Sequence, residues 1–221
     1  DRIGRITSEK KQGAHAFKVM EAYERWFQGK PELNILYLMG LFDRPAPGGA
    51  IAALKAEPAI KGLTAELVQL PDEDWRYALA CLREVRLLAK QDADDPDTLD
   101  CHPLVREHFG SKLREKSLSA WRSAHSRLYE YYKNLPEKEL PDTLEEMEPL
   151  FAAVAHGCQA DKFFEADEIF WNRITRKEDY FITKKLGAFG VNLTLLSCFF
   201  ENLWNRPASK FSDDLKAWLL N

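Results

Sequence analysis

Asp97-Thr98-Leu99-Asp100-Cys101-His102-Pro103-Leu104-Val105-Arg106-Glu107-His108-Phe109-Gly110 holds a change of period. Its first five residues alternate in polarity, which suits a short strand. Pro103 follows at once, and proline is best tolerated at the first position of a helix, where its missing N–H costs nothing. Leu104, Val105, His108 and Phe109 then recur at helical spacing. His102 therefore falls at a strand-to-helix junction, where a side chain can project out of the fold.

The segments before this junction read as a series of helices. Glu9 to Gln28 is amphipathic, with Ala16, Val19, Met20, Tyr23, Trp26 and Phe27 expected on one face. Pro31 to Phe42 is apolar nearly all round and is expected to be buried on most sides. The run Asp43-Arg44-Pro45-Ala46-Pro47-Gly48-Gly49 breaks it. A short helix is expected from about Gly49 to Glu57, and one or two turns from Thr64 to Leu70. Pro71-Asp72-Glu73-Asp74 starts another, because acids favour the positive end of a helix dipole. It runs to about residue 86. Leu87 to Lys90 then reads as a strand, the acidic stretch Gln91 to Asp97 as a hairpin tip, and the second strand enters Cys101 and His102. Three helices followed by a two-stranded hairpin is the plan of a winged helix, supplied by residues ~31 to 102.

After His102 the pattern is helical throughout. Pro103 to Lys116 is one helix and Leu118 to Asn134 the next, with Trp121, Ala124, His125, Leu128, Tyr129 and Tyr132 on one face. Asp142 or Thr143 is placed to cap Leu144 to Gln159, and Asp161 to cap Phe163 to Arg173, with Phe164, Ala166, Ile169 and Phe170 inward. This pair suggests a tetratricopeptide-like hairpin, with small Ala155, Gly157 and Ala166 permitting close approach. Residues 184–190 and Leu193 to Trp204 suggest a further pair, and Ser212 a cap for a last helix. The expected fold is mostly α. Residues 1–116 form an N-terminal helix plus a winged-helix domain with a small two-stranded hairpin, and residues 117–221 an antiparallel helical-repeat-like domain. An N-terminal Asp and a missing final C-cap suggest a piece of a longer protein.

Composition narrows the class. No apolar run approaches the ~20 residues that a membrane-spanning helix needs, and the first residues carry no apolar signal-peptide core. Four scattered cysteines, Cys81, Cys101, Cys158 and Cys198, form no CxxC pair. They read as reduced thiols of a cytoplasmic protein. A net charge of −4 argues against nucleic acid as the main partner. The third helix of a winged helix commonly reads DNA, and here it would offer Arg76, Arg83 and Arg86. The hairpin, however, presents Lys90 followed by four aspartates, which phosphates repel.

Four runs, taken in order, resemble a bacterial subgroup of the signal-transduction ATPases with numerous domains, the class that includes NB-ARC proteins. They are Leu41-Phe42-Asp43-Arg44-Pro45, Cys101-His102-Pro103-Leu104-Val105-Arg106-Glu107-His108-Phe109, Ala155-His156-Gly157-Cys158 and Lys185-Leu186-Gly187-Ala188-Phe189-Gly190. In that class a Met-His-Asp triplet ends the winged-helix strand. Here the histidine matches, and its neighbours are Cys101 and Pro103. The resemblance implies a switch in which ADP holds the winged helix against an upstream nucleotide-binding domain. A signal sensed by downstream repeats opens it, ATP replaces ADP and the protein oligomerises.

On that resemblance His102 is a candidate contact to an ADP phosphate, with Arg106, one helical turn on, a second. From spacing alone His102 is a histidine hydrogen-bonded at a turn and Arg106 a solvated helix arginine. The chain itself is not expected to be an enzyme or to hold a cofactor. A P-loop needs G-x-x-x-x-G-K-[ST], since successive backbone N–H groups and a lysine wrap the phosphates, and no such run occurs. ADP and ATP belong to the longer protein. No metal site is expected, because Cys101, His102 and His108 fit no common zinc spacing. His156 and Cys158 do not make a protease pair, since side chains two apart on a helix diverge by about 200°. A helical protein-interaction scaffold is the alternative function.

Overall fold

The computed structural model describes residues 17–202, 206 and 207, and the chain falls into two units, Asp1–Trp121 and Arg122–Asn221. The described part is mostly helical. The division lies inside a helix, five residues beyond the boundary expected from sequence.

In the first unit, α1 covers residues 17–26, α2 Pro31–Met39, α3 Gly48–Lys55, α4 Ala65–Val68, α5 Asp72–Glu84 and α6 Pro103–Lys116. Helix α2 is the core. Ile35, Leu36, Leu38 and Met39 have no exposed surface, as expected of a helix apolar on every side. Helices α6, α5 and α4 pack around it. Helix α1 corrects the expected stripe. Met20 and Phe27 are buried, but Trp26 is 59% exposed and Val19 41%. The inward line is Phe17, Met20, Glu24 and Phe27, which admits a carboxylate because the Tyr37 hydroxyl donates to Glu24 there.

The expected hairpin is reduced to isolated backbone bonds. The N–H of Ala89 donates to the carbonyl of Asp100 at 2.8 Å. Leu99 also pairs with Ala46 as an antiparallel bridge, N–H to O 3.0 Å one way and 2.8 Å the other. Residues 46, 99–100 and 89 are thus stitched side by side without forming a regular strand. The intervening 91–97 is exposed. Its turn is closed by side chains: Thr98 Oγ1 donates to Asp95 at 2.6 Å and Gln91 Nε2 to the carbonyl of Pro96 at 3.0 Å.

Helix α7, Leu118–Lys133, carries the division and continues into the second unit, which adds α8 Leu144–Gln159, α9 Phe163–Ile169 and α10 Phe189–Ser197. The inward face expected for α7 is buried at every position named. Thr143 caps α8 as expected: its hydroxyl accepts from the N–H of Glu146 at 3.2 Å, and the Glu146 carboxylate accepts from the N–H of Asp142 at 2.7 Å. Asp161 does not cap α9. It adopts φ 66°, and its carboxylate pairs with Arg122 at 2.6 Å. Phe164 is 69% exposed, whereas Ala166, Ile169 and Phe170 face inward as expected. Helix α9 runs into a π-helical turn at Phe170–Ile174, and a second such turn spans Phe181–Lys185.

The helix expected from Leu193 to Trp204 ends at Ser197. Phe200–Asn202 instead pairs antiparallel with Arg206–Pro207 as β1 and β2. A β-rich stretch, Phe199-Phe200, followed by Pro207, favours the extended form. The expected start of the first helix at Glu9 and the helix capped by Ser212 lie outside the described residues.

Candidate functional site

The helix starts at Pro103 as expected, although an isolated bridge at Leu99 rather than a strand leads into it. Pro103 takes the first position of α6. His102 is the N-cap, with extended backbone at φ −61° and ψ 141°, and its Nδ1 accepts from the N–H of Leu104 at 3.2 Å. An accepting Nδ1 leaves the neutral ring's proton on Nε2. The side chain is exposed. Nε2–H is therefore a donor beside the amino end of a 14-residue helix, where the dipole favours anions.

Arg106 occupies different surroundings from those expected. It is 7% exposed, so its guanidinium is largely withdrawn from solvent. Nε donates to the carbonyl of Cys101 at 3.2 Å, one terminal nitrogen donates to the carbonyl of Arg44, and the other pairs with the Asp100 carboxylate. The first turn of α6 points this side chain back across the 44–46 and 99–101 segments, and each of its three nitrogens bonds one of them. Asp100 also accepts from the N–H of Cys101 at 2.7 Å. Sequence reasoning passed over both Asp100 and Arg44. The one signal was an acid six residues before an arginine, which becomes meaningful only once the chain turns back.

The junction residues do not converge on a metal. Cys101 is buried, and burial pushes its thiol up to about 11, so it is a protonated neighbour of His102 rather than a nucleophile. His108 points the other way, with Nε2 3.7 Å from the Glu24 carboxylate of α1. Among the described residues no group of three or more His, Cys, Asp or Glu side chains is arranged to hold a metal ion. No described helix is long and apolar enough to cross a membrane.

Comparison with protein-family models, with curated proteins and with solved structures returns no match.

The second unit holds a polar contact that the sequence did not announce. His125 of α7 and His156 of α8, both buried, meet Nδ1 to Nδ1 at 2.8 Å. Such a bond requires one nitrogen to donate and the other to accept. Tyr132 stacks on His156 with centroids 5.4 Å apart and planes 14° off parallel. His156 is thus turned to α7, and Cys158 is separately buried, its thiol raised well above its ordinary range by burial first and by Cys198 next. The four cysteines are free thiols.

Proposed function

We propose that this chain is a regulatory interdomain module of a nucleotide switch of the class it resembles, with no catalysis of its own. On this reading residues 46, 89 and 99–100 stand in for the three short strands of a winged helix, and residues 91–97 for its wing. Helices α8 and α9 form the first tetratricopeptide-like pair of a sensing region. The nucleotide-binding domain, and with it ADP or ATP, lies on residues other than these, in a cytoplasmic protein that oligomerises on activation.

The observation that carries the reading is the state of His102. Its Nδ1 is committed to the helix cap, its Nε2–H faces outward, and it stands at a helix amino end. A neutral donor there can bond a phosphate oxygen of ADP held by an apposed domain. Arg106 takes no part in binding phosphate on this reading. It keeps the segments on either side of the junction together.

The test is the ADP dissociation rate of the full-length protein. His102→Asn retains a side-chain oxygen for the cap and loses the Nε2 donor. A charge-assisted bond contributes ~1.5–3 kcal/mol, so dissociation should quicken about ten- to a hundredfold while the melting temperature holds. Cys101→Ala is the control and should not release nucleotide. An unchanged rate in His102→Asn overturns the phosphate role.

An interaction scaffold is favoured by one specific feature of the second unit. Phe164, Phe189 and Leu193 are each more than half exposed. Sensing by repeats is itself protein or ligand binding, so the two readings share this region. DNA binding is disfavoured by the exposed aspartates of 91–97.

A further inference from the structure

Glu24 is the one acidic side chain on the inward line of α1, and it reaches two other helices. Its Oε1 accepts from the Tyr37 hydroxyl of α2 at 3.1 Å. Its Oε2 lies 3.7 Å from His108 Nε2 of α6, too far for a hydrogen bond. His108 is 5% exposed, and its Nε2 is buried without a hydrogen-bond partner. The Phe17 ring of α1 covers the imidazole at 5.8 Å between centroids, and Phe109 meets it edge-on at 4.9 Å. The docked helix thus seals a neutral imidazole beneath an aromatic ring.

The ionisable groups around this imidazole come from all three helices. Helix α1 supplies Glu24 and Glu21, α6 supplies Lys112, and α2 supplies the Tyr37 phenol, with the Lys116 ammonium 5.3 Å from the Tyr37 ring centre. Burial is the largest influence and lowers the His108 pKa; Glu24 raises it, Lys112 lowers it and Glu21 raises it, and the balance is downward. The Tyr37 phenol is pushed above its usual range by burial and then by Glu24, so it remains a donor to that carboxylate.

We propose that α1 is a proton-released latch: it is held against α2 and α6 while His108 is neutral, and protonation of His108 favours the state in which α1 has left. The physical cause is linkage. With α1 away, the imidazole is open to water and titrates near its ordinary ~6.5. With α1 docked it binds the proton less readily. The released state therefore carries more protons, and docking weakens as pH falls below about 6.5. The docked-to-released ratio changes by at most ~tenfold per pH unit for one linked proton. The latch does not depend on the switch reading above, since it concerns α1 and His108 alone.

The test is an NMR titration of the 221-residue chain from pH 8 to 5. It follows the His108 ring carbon between the nitrogens and the backbone amides of residues 20–27, with the amides of α2 and α6 as the reference for intact packing. The latch requires the ring and the α1 amides to change with one shared midpoint while α2 and α6 keep their signals. His108→Phe, which cannot take a proton, should keep α1 docked at pH 5. His108→Gln, also neutral, gives the same reading if the phenylalanine does not fold. Docked α1 at pH 5 in the unaltered chain overturns the proposal, whether or not the ring has titrated. So does loss of α2 and α6 together with α1, which is unfolding, or release of α1 at an unchanged midpoint in the neutral variants.

Discussion

Gly40 and Gly110 touch backbone to backbone where the end of α2 crosses α6. A Cβ built on Gly40 would lie 2.3 Å from the Gly110 nitrogen, and one on Gly110 2.5 Å from the Gly40 oxygen. The obstacle is main chain on both sides, so no rotamer relieves it. Gly110→Ala should therefore destabilise the first unit by ~1–3 kcal/mol or more, although alanine is the better helix former. Gly190→Ala, where nothing lies within 4 Å, should be neutral or gain ~0.5–1 kcal/mol. Urea unfolding of the two variants decides it. Equal stability would mean that α2 and α6 do not approach this closely.

Arg106 ties the carbonyl of Arg44, 62 residues earlier, to the Asp100 carboxylate and the Cys101 carbonyl just before its own helix. Arg106→Met keeps the length and removes every donor. The expected loss is ~1–3 kcal/mol, the cost of leaving partly buried acceptors without their donor. Arg106→Lys should recover little, because one ammonium cannot span the fork of a guanidinium. Recovery by lysine, measured as the urea midpoint, would reduce the site to a simple charge.

Gly157 lies where α8 meets α7 and α9. Its would-be Cβ is 3.0 Å from the Cβ of Ala166 and 3.0 Å from Cδ2 of Tyr129. Gly157→Leu should lower stability by ~1–3 kcal/mol through overpacking. A melting temperature equal to that of the unaltered chain would place this face in solvent.

Asp167 of α9 is half-buried, and burial, with Glu168 second, pushes its carboxyl up to about 6. An acid whose folded pKa lies above its unfolded value binds more protons when folded. Its contribution is present at low pH and is lost as pH rises from about 4 through 6. Asp167→Asn should therefore gain stability relative to the unaltered chain at pH 7.5, with the gap closing at pH 4. The difference is read from paired urea titrations, which cancel the opposite trend from His108. A gap independent of pH would show that Asp167 is ionised at no cost.

Local rules carried the reading a long way. Proline at 31 and 103, the acids at 72–74 and the Thr143 cap fixed where helices begin, because each satisfies or spares a terminal N–H within one turn. The buried face of α7 followed from period alone, and so did the exposure of a histidine set just before Pro103. Reading failed where the deciding partner is remote. Arg106 looked solvated until Arg44, 62 residues earlier, was brought against it. Asp161 suited a cap and paired instead with Arg122. Val19 and Trp26 fitted an apolar stripe, yet α1 turned Glu24 inward, where the Tyr37 hydroxyl donates to it. His125 and His156 meet across 31 residues. Sequence determined most of the helices and the helix start beside His102, since those energies are settled between near neighbours. Only tertiary structure decided which polar groups are buried, because a buried donor or acceptor is tolerated solely when packing supplies its partner.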